Sequence, residues 1–273
     1  MELTTQFMKE LKEELIERTM SYPLNRQFSP RLIKPDTWAI LPYNPSPDTP
    51  SIHLVIGEER ALVIDPTDTP YDVRAYIREN LTDKPLVVAN THSHGDHTYA
   101  NYLFDDCTIY MSEKCQAALR RQRENPGMRS RSRLLTHQSQ NEGTVVKPGD
   151  VIDLGGREIE ILGCEPCHDE SSILYWDKTC GILFTGDEID PGQCNLWNAP
   201  LEVFYDNIKN LIALRDGDPG FDMVCAPHNG TPMNARILDY YKENCERVFS
   251  GIEGDIDKGS VSYLLNPFEP RGP

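Results

Sequence analysis

The stretch Thr91-His92-Ser93-His94-Gly95-Asp96-His97, "THSHGDH", sets three imidazoles and a carboxylate within six positions, just after the apolar run Leu86-Val87-Val88-Ala89. Neutral imidazole nitrogen and carboxylate oxygen are the donors that borderline divalent cations such as Zn2+ prefer. A short apolar run bounded by polar residues reads as a buried strand, so these donors stand where the chain leaves a strand. Gly95 permits a tight turn there, which lets the side chains converge on one point.

Working outward, three later segments repeat the arrangement of a strand followed by a donor. His168 follows Ile159-Leu162, Asp187 follows Ile182-Thr185 in "FTGDEI", and His228 follows Met223-Ala226 in "CAPHNG". Donors at the ends of adjacent strands meet at one edge of a sheet. Five of the seven histidines are then accounted for. His53, in "SIHLVIG", reads as a core or rim histidine, and His137, in "LLTHQSQNEG", as a surface residue. His168 also closes Cys164-Glu165-Pro166-Cys167-His168, the spacing of a covalent haem attachment site.

Along the rest of the chain, strands and helices alternate. Strands are expected at 38–41, from Ile52, ending at Val63-Ile64 before Asp65, and at 144–146, 152–154 and 173–176. Pro70 is placed to open a helix running through Leu81, and further helices are expected over 201–215 and 235–249. "PYNPSPDTP" at 42–50 reads as a surface loop. Many short strands grouped between outer helices suit two sheets packed face to face with helical layers outside. At the N-terminus, Phe7, Met8, Leu11, Leu15 and Ile16 recur at spacings of three and four, the pattern of an amphipathic helix. Residues 1–35 are therefore assigned to a helix and extension and 36–273 to the main domain, with the helix packing on that domain or on a second copy in a homo-oligomer.

A formal charge of -16, from 27 basic and 43 acidic residues, makes the overall field repel polyanions and argues against a nucleic-acid partner. The longest apolar runs are strand-sized, so no membrane span is expected. The first twenty residues mix charges with apolar residues and lack the continuous centre of a signal peptide, which points to the cytoplasm and to eight reduced thiols. One local exception to the acidity is Arg120, Arg121, Arg123, Arg129, Arg131 and Arg133. They read either as a solvated helix end and loop or as an anion-recognition segment.

The pattern H-x-H-x-D-H at His92, His94, Asp96 and His97, followed in order by His168, Asp187 and His228, resembles the metallo-beta-lactamase-fold hydrolases over about residues 36 to 235. The resemblance implies an α/β (α+β) fold, an αββα sandwich of two mixed β-sheets flanked by helices. It implies two divalent metal ions, Zn2+ first and Mn2+ or Fe2+ as alternatives. His92, His94 and His168 would bind one, Asp96, His97 and His228 the other, and Asp187 would bridge them. A haem at His168 would strand these partners, so the haem reading falls. Two such cations share a water, lower its pKa toward neutrality and polarise the scissile carbonyl or phosphoryl group. Asp96 would orient the resulting hydroxide and pass a proton to the leaving group.

Around this centre, Asp65 is either the carboxylate that steadies a metal-bound histidine or a turn residue before Pro66. Trp197 is a candidate pocket wall and Tyr205 a candidate contact to the substrate oxygen; ordinary packing is the other reading of both. Cys194 has no basic neighbour in sequence to lower its pKa, which leaves it little support as a nucleophile. Asp187 stands where many true beta-lactamases carry Cys, which demotes antibiotic hydrolysis. The flavodiiron redox proteins usually place Glu where His94 stands, and the acidity of this chain disfavours a nuclease of the family. The expected activity is hydrolysis of a small ester-like molecule, a lactone or thioester. The alternatives are a phosphodiesterase or other hydrolase of a small anionic substrate, and a non-hydrolytic di-iron redox protein.

Overall fold

A computed structural model describes residues 23–43, 49–124, 138–191, 194–228 and 231–251. The amphipathic segment at 1–22, Arg129, Arg131, Arg133 and His137 lie outside the described residues.

The first sheet has the order β1 to β7: Phe28–Lys34, Thr37–Pro42, Ile52–Ile56, Ala61–Ile64, Leu86–Ala89, Ile109–Met111 and Thr144–Val145. Its first four strands pair antiparallel and β4 to β7 pair parallel. Residues 28–34, assigned from sequence to the N-terminal extension, form its edge strand. The second sheet has the order β13-β12-β11-β10-β9-β8, with β8 Val151–Asp153, β9 Glu158–Leu162, β10 Leu174–Asp177, β11 Ile182–Phe184, β12 Met223–Cys225 and β13 Met233–Asn234. Only β11 and β12 pair parallel there. The helices are α1 Val73–Asn80, the single turn α2 Gly95–Thr98, α3 Glu113–Glu124, α4 Leu201–Arg215 and α5 Ile237–Phe249. The first helix begins later than Pro70, because the Asp72 carboxylate accepts the Ala75 N–H at 2.8 Å and caps it.

Side-chain alternation along the strands builds three layers of core. In β4, Ala61 and Val63 face α1 and its neighbours, packing with Val73, Ile77 and Phe104. Leu62 and Ile64 face the other sheet, where they meet Ile159, Ile161, Tyr175 and Phe184. On the far side of the second sheet, Leu174, Trp176, Leu183 and Val224 pack against Phe204, Ile208, Leu238 and Tyr241 of α4 and α5. The period of two gives each strand a face for each layer, and the result is the αββα sandwich.

The two ends of the sandwich differ. At one end, Arg157 donates to the Asp177 carboxylate, to the Thr37 hydroxyl, and to the carbonyls of Pro35, Asp36 and Ile56. This buried guanidinium ties the β1–β2 turn and β3 to the second sheet. At the opposite end, β4 and β5 stop in register at Ile64 and Ala89, and β11 and β12 at Phe184 and Cys225. Leu162 of β9 sits opposite Leu174 of β10 at that same end. Asp65, the 91–97 loop, His168, Asp187 and His228 all follow those strand ends.

Candidate metal centre

Seven side chains converge at that end. One group is His92, His94, His168 and Asp187; the second is Asp96, His97, His228 and Asp187, and within each the donor atoms lie within 4.8 Å of one another. Asp187 belongs to both. Its Oδ2 is 3.3 Å from His168 Nε2, 3.6 Å from His228 Nε2 and 3.9 Å from His92 Nε2, while Oδ1 is 3.3 Å from His97 Nε2. Asp96 Oδ2 closes the second group, 3.4 Å from His228 Nε2 and 3.6 Å from His97 Nε2.

Local sequence explains how Asp187 gets there. Gly186 adopts φ +53°, and a Cβ on it would lie 2.5 Å from Thr91 Oγ1. Only glycine allows the "TGD" turn to lie this close to the 91–97 loop. The backbones of the two sheets also join here: the Ile173 N–H donates to the Thr91 carbonyl, and the Tyr175 hydroxyl to that of Asn90, both at 2.9 Å.

The imidazoles are held from behind. Asp65, at φ +50°, accepts the Thr91 N–H at 2.8 Å and its hydroxyl at 2.6 Å, and its Oδ2 is 3.1 Å from His97 Nδ1. The carboxylate therefore stands directly behind His97. Thr91 Oγ1 in turn lies 3.0 Å from His92 Nδ1, and the Asn195 carbonyl 3.2 Å from His168 Nδ1. Buried Glu188 accepts the backbone N–H groups of Cys167 and His168 at 2.9 and 3.1 Å and so fixes the 167–168 turn.

This donor set fits a pair of cations. His92 Nε2, His97 Nε2 and Asp187 Oδ1 are buried with no hydrogen-bond partner, an arrangement that is costly unless some cationic ligand completes it. Protons respond to the same field. Burial opposes charge on His228, but Asp187 and Asp96 outweigh it and push its pKa up to about 10. Burial likewise works against the Asp96 carboxylate, yet His97 and His228 hold it down at about 2. His92, buried among other imidazoles, is pushed well down and stays a neutral donor.

The other sequence candidates fall as follows. Trp197, 56% exposed, lies against the cluster with its ring centroid 4.7 Å from that of His168 and the planes at 37°. Tyr205 is engaged elsewhere: its hydroxyl donates to Glu246 of α5 at 2.9 Å and its ring meets Phe249 edge-on, which is the packing reading. His53 is a core residue beside Phe184 and Thr231. Cys194 is buried under α5, and burial raises its thiol pKa, so nothing there favours a nucleophile. His168 faces His94 and Asp187, while burial pushes the Cys167 thiol up to about 12. Arg120 and Arg123 both pair with Glu142. The supporting roles of Thr91, Glu188 and the Asn195 carbonyl were not foreseen from the sequence; the acid directly after Asp187 was the one available signal.

Fold and site together define the class. The family description "Metallo-beta-lactamase superfamily" matches residues 45–228, and the chain belongs to that superfamily. It is similar to the acyl-coenzyme A thioesterase MBLAC2 of Bos taurus, 28% identical over 250 residues, with 81% of this chain and 84% of that one covered. A hydroxyacylglutathione hydrolase of Gloeothece citriformis is 26% identical over 229 residues, covering 76% and 79%. Among solved structures, a metallo-beta-lactamase from Pontibacter korlensis matches with a TM-score of 0.61 at 19% identity, covering 81% of this chain and 99% of that one, a likeness of fold. No helix among the described residues is long and apolar enough to cross a membrane.

Proposed function

We propose that this protein is a metal-dependent hydrolase of small thioesters that works with two divalent cations. The observation that carries the hydrolase reading is the convergence of seven donors around His92 Nε2, His97 Nε2 and Asp187 Oδ1, which are buried without a hydrogen-bond partner. The thioester reading draws support from the relatives named as an acyl-coenzyme A thioesterase and a hydroxyacylglutathione hydrolase. His92, His94 and His168 would hold one cation, Asp96, His97 and His228 the other, and Asp187 both. A nitrogen-rich donor set favours Zn2+, with Mn2+ and Fe2+ as the competitors. When bound, such cations supply Lewis acidity toward the substrate carbonyl and draw the pKa of a water toward neutrality.

The chain's own residues supply position and proton movement. Asp65, Thr91 and the Asn195 carbonyl hold three imidazoles by their outward nitrogens, so the inward nitrogens keep their lone pairs. Asp96 has the most exposed side chain of the seven, at 40%. It stays ionised at neutral pH, faces the entering substrate, orients the attacking water, takes up the proton that water loses and passes it to the departing thiolate, which leaves as the thiol. Trp197 offers an apolar wall beside His168 for the acyl portion.

The test is thiol release from acyl-coenzyme A and hydroxyacyl-glutathione substrates by metal-loaded, chelator-treated and reloaded protein. Release that disappears on chelation and returns with Zn2+ is expected. Turnover of lactones or phosphodiesters with none of thioesters would overturn the substrate class. Oxygen consumption without hydrolysis would overturn the hydrolase.

A further inference from the structure

Four imidazoles of the centre have one nitrogen facing the cluster and the other facing a supporting group, and one of the four is turned round. His92, His97 and His168 aim Nε2 inward and rest Nδ1 on Thr91, Asp65 and Asn195 respectively. His94 does the reverse. Its Nδ1 points inward, 3.1 Å from His168 Nε2, and its Nε2 points outward, 3.4 Å from Asp169 Oδ2. A carboxylate oxygen set beside a ring nitrogen favours the tautomer that places the proton on that nitrogen, which leaves the lone pair on the inward Nδ1.

His94 needs such a partner more than the other three. Its side chain is 33% exposed, against 1%, 0% and 4% for His92, His97 and His168, so packing constrains its ring least of the four. Asp169 is itself anchored. Its Oδ1 accepts the Ser171 N–H at 2.9 Å and the Ser171 hydroxyl, and Ser171 Oγ accepts the Ser93 N–H at 3.0 Å. One carboxylate oxygen thus holds the 169–171 turn while the other meets His94. The chain closes a ring through Ser93, His94, Asp169 and Ser171, in which Asp169 Oδ2 is the atom that faces His94.

We infer that Asp169 is the positioning residue for His94, fixing its Nε2–H tautomer and aiming Nδ1 at the cation shared with His92, His168 and Asp187. The assignment rests on the two-metal reading for its consequence, but the tautomer is a property of the metal-free chain. Asp169→Asn keeps an oxygen for Ser171 and places an amide N–H, a donor, against the His94 N–H. Ser171→Ala loosens the turn while leaving Oδ2 on His94.

The experiment uses the full chain labelled with 15N-histidine, the His94 resonances being assigned with His94→Ala, together with competition against a chromophoric Zn2+ chelator. In wild type, long-range proton–nitrogen spectra of the metal-free protein should show His94 as the Nε2–H tautomer. Asp169→Asn should mix the tautomers and lower affinity for the first Zn2+ by roughly 10- to 100-fold. Ser171→Ala should keep the tautomer and change affinity by about twofold or less. An Asp169→Asn protein with an unchanged tautomer and affinity would overturn the inference, as would a Ser171→Ala protein that loses as much Zn2+ affinity. Failure of wild type to bind Zn2+ would sink the two-metal reading instead, with the tautomer spectra still deciding the role of Asp169.

Discussion

Replacing Arg157 by Met should destabilise the protein by about 4 kcal/mol, because removing one member of a buried ion pair leaves the other charged and unpaired. The magnitude follows from what Arg157 touches. Asp177 is fully buried and receives both Nε and Nη2 of Arg157; after substitution only the Cys180 N–H at 3.1 Å remains on its carboxylate. The Pro35, Asp36 and Ile56 carbonyls lose a donor each, and the Thr37 hydroxyl loses the guanidinium at 2.5 Å while keeping the Pro35 carbonyl at 3.1 Å. Carbonyls tolerate such losses better than a carboxylate does, so the range of about 3 to 5 kcal/mol for a broken buried pair is taken near its middle. For a chain of this size that corresponds to a fall in Tm of roughly 8 to 16 °C. Asp177→Leu alone should be similarly harmful, whereas Arg157→Met/Asp177→Leu should recover to within about 2 kcal/mol of wild type, since an apolar pair leaves no stranded charge. Urea unfolding and calorimetry of the four proteins measure this cycle. Additive losses, with the double variant about 8 kcal/mol down, would refute the reasoning, as would single variants within about 1 kcal/mol of wild type. Because this pair sits at the end of the sandwich away from Asp187, turnover below the transition should be unchanged.

Three further outcomes follow from the site and its surroundings. Trp197→Ala should raise KM about fivefold for a long-chain acyl thioester and leave an acetyl thioester nearly untouched, the loss of roughly 1 kcal/mol of aromatic contact; equal effects on both substrates would remove Trp197 from the pocket. Gly186→Ala must either push Thr91 away or strain a φ of +53°, at a cost of about 1 to 3 kcal/mol in stability, and Zn2+ affinity should fall with it; a variant with wild-type Tm and affinity would contradict the close approach. His53, fully buried, has its pKa pushed down by burial to about 3. The unfolded chain therefore takes up that proton first, so stability is intact above about pH 6.5 and is lost as pH falls toward 3, by on the order of 4 kcal/mol. His53→Gln should flatten that acid limb in thermal melts across pH, and an unchanged limb would place the titrating group elsewhere.

The metal-binding end was legible because its donors are written next to strand ends, and four-residue apolar runs such as Leu86–Ala89 signal buried strands by themselves. What was not legible depends on approach across the chain. Asp65 was one of two readings at its strand end, and the register of β4 and β5 is what brings it to Thr91 and His97; Ser93 meets Ser171 across 78 positions. The edge strand β1 was missed because "FSPRLIK" exposes four of its seven residues and contains a proline, which leaves little alternation to read. Tyr205 was left between two readings because an aromatic residue near a helix start looks the same whether it faces a pocket or a second helix. In α4 the buried face runs through Leu201, Phe204, Ile208 and Leu211, and Tyr205 lies on its flank toward Glu246. The 70–81 helix was found but started too early, since Pro70 and the capping Asp72 are both reasonable openings and only the hydrogen bond to Ala75 decides between them.

Metal stoichiometry combined with location tests the centre most directly: Zn2+-loaded protein freed of excess metal, measured by elemental analysis and by anomalous diffraction at the zinc edge. Two zinc ions per chain should be found at about 2.0 to 2.2 Å from their ligands, one among His92, His94, His168 and Asp187 and the other among Asp96, His97, His228 and Asp187. A chain that retains no zinc, or that binds it away from these residues, would contradict the two-metal centre and the hydrolysis built on it.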